Sequence, residues 1–468
     1  MDLIIKNGTV ISSKKTIQAD ICIKDGKITN IIPNNIKKNL VSCIKNGSVK
    51  EIDASNKLVM PGGVDVHTHL DMPFMGTFSN DDFETGTIAA AYGGNTSIID
   101  YIIPQQDQSL IEALSIWHKK AENKAVIDYG FHVAIVPPVE KAINELSEMV
   151  NQGVTSIKCF LAYKNFLMIS DGDLFRLFQE AKKLGILVCI HAENGEIIDL
   201  LANQYLQESK IKPIYHALSR PAILEGEAVQ RVLKLAELAD VPVYFAHLST
   251  KDALREIKRA RKKHRIVYAE TCPQYLFLTQ DKYSEPGFKG AKYVMSPPLR
   301  EKKHTKYLLK ALKKNEIDVI ATDHCPFNFS KEKQLGKDDF TKIPNGIPGI
   351  ETRLPLMFQE MVTERKLSLN EFVEINCTKP AKIFKMPNKG DIEVGMDADI
   401  VIWDTDLKWT IKARDLHQNV DYTPFENCKI TGKPITVILR GNIIIENNEL
   451  KAKPGQGKFL KRNIFNKK

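Results

Sequence analysis

In the stretch GGVDVHTHLDMPF, His67 and His69 stand one residue apart at the end of a run that alternates like a β-strand. Alternation puts both rings on one face, roughly 6.7 Å apart along the strand. An HxH pair can hold a metal, or it can be one packed and one loop histidine, so partners elsewhere must decide. Three further strand-like runs supply them: ILVCIHAE carries His191, VPVYFAHL carries His247, and DVIATDHC carries Asp323. The same alternation puts Cys189 with His191 on one face and Phe245 with His247 on one face. Imidazole nitrogen with carboxylate oxygen suits Zn2+ or Mn2+, and the lack of thiolates argues against a closed structural site.

Lys158, in SIKCFLAY, occupies the inward position of an apolar strand. An interior lysine is costly unless it is paired or neutral. It either meets a neighbouring acid or, as a neutral amine, takes up CO2 to become a carbamate able to bridge two metals. Both readings stay open at this point. Asp65 is expected on the same face as the two histidines but deeper, as a supporting polar residue and not a ligand.

These residues need a scaffold that brings several strand ends together. Strand candidates fall at 64–69, 95–102, 127–136, 156–162, 186–193, 241–248, 265–271 and 318–325. Helical periodicities such as DLFRLFQEAKKLG and EGEAVQRVLKLAELA lie between them. Eight such units predict an α/β protein, a (β/α)8 TIM-type barrel over residues 59–387, with chemistry at the C-terminal strand ends. No GxGxxG follows a first strand, which argues against an open doubly wound sheet. Residues 1–58 and 388–450 read as short strands with tight turns. Asn7-Gly8 and Asp25-Gly26 are expected hairpin tips, and Arg440-Gly441-Asn442 another turn. Together the two ends predict one small β-sandwich domain, followed by a basic tail at 451–468.

The net charge of +9 owes seven of its cations to that tail, which has no acid, leaving +2 on the rest. A nucleic-acid partner is therefore not expected. EIKRARKKHR at 256–265 reads as the wet face of a surface helix. The eight cysteines form no CxxC and no close pair, so no disulfide framework is expected. No apolar run approaches the roughly 20 residues that span a bilayer, and MDLIIKNGTVISS lacks a basic n-region, so a cytoplasmic protein without a signal peptide is expected.

The motifs GGVDVHTHLDMPFMGT, SIKCFLAYK, CIHAEN, FAHLS, AETCPQYL, SPPLR, TDHCPFNF and KIPNGIPGIETR, in this order over the whole chain, resemble the dihydropyrimidinase and hydantoinase type of cyclic amidohydrolase. The resemblance implies two divalent ions, usually zinc, with manganese as the alternative. One would be held by His67, His69, N6-carboxylysine at Lys158 and Asp323, and the other by the same carbamate with His191 and His247. It implies that Tyr163 hydrogen-bonds the substrate carbonyl and its oxyanion. Ser296 and Asn345 would hold the cyclic amide, largely through backbone groups. The implied reaction is hydrolysis of dihydropyrimidines or hydantoins to N-carbamoyl amino acids by a metal-activated hydroxide, with Asp323 as general base and then acid. A homotetramer, a dimer of dimers with C-terminal segments reaching across subunits, is also implied; the basic tail is a candidate for such an arm.

Other members of this enzyme class compete. Dihydroorotase-like enzymes carry an arginine after the HxH to grip a carboxylate, where this chain has Leu70-Asp71-Met72. Allantoinase fits the SPPLR and IPNG context less well. Non-catalytic scaffold relatives have lost ligands, whereas all six positions are kept here. Leu70, Phe74 and Phe78 are candidates to line the pocket for the substituent outside the ring.

Overall fold

The computed structural model describes residues 2–34 and 49–465. Its centre is an eight-stranded parallel sheet made of Gly63–Thr68, Asn95–Ile102, Asp128–Ala134, Ser156–Phe160, Leu187–His191, Val243–Phe245, Val267–Thr271 and Val319–Ile320, called strands one to eight. They are hydrogen-bonded in sequence order. A bridge from Thr68 to His324, with His69 N–H donating to the His324 carbonyl at 2.9 Å, brings strand eight back to strand one. The outcome is the expected (β/α)8 barrel. Strand eight is shorter than its apolar run suggests, so Asp323 sits in the loop beyond it.

The connecting helices bury one stripe each. In Asp171–Leu184, Leu174, Leu177, Phe178 and Ala181 face inward at the spacing of a single helix face. Ser170 accepts the Asp173 N–H at the N-terminus, acids occupy the first turn, and Lys182 and Lys183 the last. Gly185, with φ of 68°, ends the helix in the left-handed region. Between helices and barrel lies a continuous core containing Val188, Ile190, Val243 and Phe245. Inside the barrel is a separate cluster with Val64, Val66, Ile99, Cys189, Tyr244 and Ala321.

That division corrects two expectations drawn from alternation. Tyr244 points into the barrel and Phe245 out of it, so Phe245 and His247 do not share a face. The strand stops at Phe245, and His247, with φ of 37°, turns into the mouth through its backbone. Asp65, alternating with the interior Val64 and Val66, faces Thr322 and Arg353 instead of the barrel lumen. The pairing of strands one and two slips between Asp65 and Thr68, and His67 reaches the mouth at this irregularity.

Both ends of the chain build one nine-stranded sheet. Leu58–Pro61 joins Leu3–Ile11 on one side to Ile400–Thr410 on the other. Its strands share a core with Leu3, Ile5, Ile21, Ile400 and Ile438. Asp25-Gly26 and Arg440-Gly441 turn hairpins, each pair with positive φ. Asn7-Gly8 does not. It lies inside Leu3–Ile11, where pairing slips between Ile5 and Gly8, and a Cβ on Gly8 would meet Val59 at 2.4 Å, so the dipeptide forms a bulge under the neighbouring strand.

The basic tail, a candidate for an arm toward another subunit, runs through Phe465 along its own barrel. Leu460 and Phe465 N–H groups donate to the carbonyls of Tyr129 and Gly185, each at 2.7 Å. The buried Arg462 guanidinium donates to Phe131 O and Ser156 Oγ. Phe459 and Phe465 supply apolar contact that a string of lysines conceals in the sequence. Lys467 and Lys468 fall outside the described residues. Cys159, Cys189, Cys272, Cys325, Cys377 and Cys428 are free thiols, and no helix among the described residues is long and apolar enough to cross a membrane.

Candidate active site

The C-terminal strand ends converge on a cavity. His67, His69, Lys158, His191, His247 and Asp323 all line it, as do Tyr163, Ser296 and Asn345. Asp323 Oδ1 lies 3.2 Å from His67 Nε2 and 3.1 Å from His69 Nε2. On the other side His191 Nδ1 and His247 Nε2 are 3.1 Å apart, and Lys158 Nζ is 3.5 Å from His247 Nε2. Ligating atoms of His67, His247 and Asp323 fall within 4.8 Å of one another.

Buried carboxylates fix the ring tautomers. Glu270 Oε1 accepts from His67 Nδ1 at 2.7 Å and from the His247 backbone N–H at 2.8 Å, while Tyr244 donates to Oε2 at 2.6 Å. Glu193 accepts from His191 Nε2 at 2.9 Å, and Arg300 backs Glu193 at 3.5 Å. Each carboxylate takes the N–H of one ring nitrogen and leaves the other as a lone pair facing the cavity. Burial, reinforced by Lys158, holds His67 and His247 well below the usual imidazole range, as neutral ligands must be. Burial pushes the Asp323 carboxyl up, but His67 and His69 outweigh it and hold the group below its ordinary value, ionised.

This donor set fits cations. Buried His67 Nε2, His69 Nδ1 and His247 Nδ1 have no hydrogen-bond partner. The two nitrogens of His191 and His247 that face each other need a cation or a proton between them. Among the described residues no carboxylate pairs with Lys158. Burial lowers its ammonium from the ordinary lysine range, and its Nζ lies 3.5 Å from His247 Nε2. Glu270 and Asp323 are near enough to act on Lys158 through their charge, but neither forms an ion pair with it among the described residues.

Tyr163 stands over the cavity just past strand four, with φ of 63°; Asp323 and His247 also have positive φ. Such backbone costs about 1–3 kcal/mol per residue and persists only where its surroundings enforce it. Burial lifts the Tyr163 hydroxyl to about 12, opposed by its hydrogen bonds with Ser296 and Asn345. Asn345 Nδ2 donates to Ser296 Oγ at 3.2 Å. Of the three pocket candidates, Phe74 lines the cavity and meets the Tyr163 ring edge-on at 5.5 Å. Phe78 is 57% exposed, and Leu70 is buried in the core.

Reading the sequence missed Glu270, Glu193 and Asp100. Asp100 accepts from Thr68 Oγ1 and Leu70 N, each at 2.8 Å, and so fixes the backbone on both sides of His69. The signal was present: an acid in the apolar runs RIVYAET and NTSIIDYI is as anomalous as the lysine in SIKCFLAY.

A profile of the amidohydrolase family matches residues 58–444. The D-hydantoinase of Geobacillus stearothermophilus is 46% identical over 464 residues, covering 99% of this chain and 97% of that one. The D-hydantoinase of Ralstonia pickettii is 42% identical over 466 residues, covering 99% of this chain and 100% of that one. The crystal structure of dihydropyrimidinase from Brevibacillus agri superposes with a TM-score of 0.96 at 47% identity over the full length of both chains.

Proposed function

The chain belongs to the amidohydrolase family, and on that premise we propose that it hydrolyses the cyclic amide bond of hydantoins and 5,6-dihydropyrimidines to N-carbamoyl amino acids. What carries this is one convergence: four histidines, Lys158 and Asp323 face the same cavity as the Tyr163, Ser296 and Asn345 group. The names of the similar enzymes point to the same ring chemistry.

His67, His69, Lys158 and Asp323 would hold one divalent ion, and Lys158, His191 and His247 a second, both most simply zinc. Bound there, such ions supply Lewis-acid polarisation of the carbonyl and a hydrolytic water acidic near neutral pH. Lys158 would serve as its carbamate: the neutral amine's lone pair attacks the carbon of CO2, an N–C bond forms, and one N–H proton leaves.

Ser296 and Asn345 seat the ring with its carbonyl toward Tyr163. As water adds to that carbonyl, Asp323 accepts its proton. The Tyr163 hydroxyl donates to the oxyanion that develops on the substrate. Asp323 then returns the proton to the ring nitrogen as the C–N bond breaks, which releases the N-carbamoyl product and regenerates the carboxylate. Leu70-Asp71-Met72, in place of an arginine, favours a ring without a carboxylate. A homotetramer and a cytoplasmic location belong to the same proposal.

Steady-state comparison of dihydrouracil, hydantoin, D- and L-5-substituted hydantoins, allantoin and dihydroorotate tests it. Highest kcat/KM is expected on the hydantoins or dihydrouracil, and preference for dihydroorotate or allantoin would overturn the substrate assignment.

A further inference from the structure

Lys333, in the turn Glu332–Gly336, is fully buried, and no carboxylate pairs with it among the described residues. Its Nζ donates to three backbone carbonyls: Val294 at 2.7 Å, Pro344 at 2.6 Å and Gly346 at 2.7 Å. Three acceptors around one nitrogen need three N–H bonds, which the ammonium has and the neutral amine lacks. Burying a cation without a counter-ion is costly, so mere packing is a poor reason for a lysine here.

The acceptors are the telling feature. Pro344 and Gly346 flank Asn345, and Val294 precedes Ser296 by two residues. The two segments also meet through Gly346 N–H on the Val294 carbonyl at 3.0 Å and Asn345 Nδ2 on Ser296 Oγ at 3.2 Å. The backbone N–H of Asn345 belongs to the same peptide group as the Pro344 carbonyl, and among the described residues it finds no acceptor. Asn345 itself lines the cavity. A cation on one end of a peptide group strengthens the donor at its other end.

We propose that Lys333 is a positioning residue for the substrate ring: its ammonium fastens the Ser296 and Asn345 segments together and strengthens the Asn345 N–H that holds the ring amide. This rests on the hydrolase function proposed above. It assigns a role to a residue that touches neither metal ligands nor substrate.

The test uses full-length, metal-loaded Lys333→Met and Lys333→Gln enzymes, with kinetics on hydantoin, metal content and a crystal structure. Lys333→Met should raise KM about tenfold or more while kcat stays within about threefold, because it weakens ground-state and transition-state binding alike. Metal content should be unchanged, and the Asn345–Ser296 contact should open beyond hydrogen-bonding distance. Lys333→Gln, with two N–H donors, should fall between, and it decides the matter if the methionine variant does not fold. A KM equal to that of the unsubstituted enzyme, or an Asn345–Ser296 contact still at hydrogen-bonding distance, would each overturn the proposal. If the unsubstituted enzyme hydrolyses no hydantoin, the hydrolase function fails on its own, and the crystallographic contact still decides the clamp.

Discussion

At the base of the barrel Lys389 meets Asp128, Asp399 and Asp397 at 2.6, 2.7 and 2.9 Å, with Arg440 also on Asp128. At the mouth, four histidines, a lysine and an aspartate are buried as deeply, yet three imidazole nitrogens make no hydrogen bond. Both clusters carry the desolvation cost of interior charge. The base cluster offsets it within the protein, joining strand three to the strands of the second sheet. The mouth leaves part of it to be offset by something that binds. Buried charge alone therefore does not mark an active site; several imidazoles with unbonded nitrogens gathered around one cavity do.

Substitutions at the two ends should separate these roles. Asp323→Asn should lower kcat by about 10²–10⁴-fold, the range for losing a positioned acid or base, while the denaturation midpoint changes little. Comparable kcat would remove Asp323 from the proton path. Lys389→Met should do the reverse, costing about 3–5 kcal/mol of stability by stranding buried carboxylates, with kcat of the folded enzyme unchanged; denaturant titration with kinetics on the folded fraction reads both. Tyr163→Phe should cost about 10²–10³-fold in kcat with metal content unaltered. Because burial holds the Tyr163 proton up to about 12, its donation is intact at lower pH and is lost only as pH rises through that value. The Phe variant should therefore lower the pH–rate profile as a whole without moving its alkaline limb. A displaced limb would show that Tyr163 titrates in the working range. The smallest effect is expected from Glu270→Gln, about 10–100-fold in metal affinity through a misoriented His67, measured by competition with a chelator.

The barrel was legible because each strand is a run of apolar residues separated by helical periodicity, and six candidate ligands were legible because histidine, lysine and aspartate are out of place there. Alternation failed at Val243–Phe245, where the strand stops early and a left-handed residue, not parity, aims His247. It failed again at Asp65, where a slip in pairing puts His67 in the mouth while Val66 stays inside. Asn7-Gly8 misled because a bulge and a hairpin both accept an asparagine with positive φ followed by glycine. Lys333 could not be read at all, since nothing in EKQLG says that its nitrogen meets three carbonyls from two distant segments.

The difference between the two ends is tested most directly by counting metal ions per chain, by plasma mass spectrometry, in the unsubstituted protein, in a His67→Ala/His69→Ala variant and in Lys389→Met, all purified metal-replete. About two ions per chain are expected in the first and the last, the number a shared-water hydrolytic site takes, with a clear loss in the histidine variant. A chain that holds no divalent metal under those conditions, or one whose metal content follows Lys389 and not the histidines, would contradict the assignment of the mouth as a two-metal hydrolytic centre.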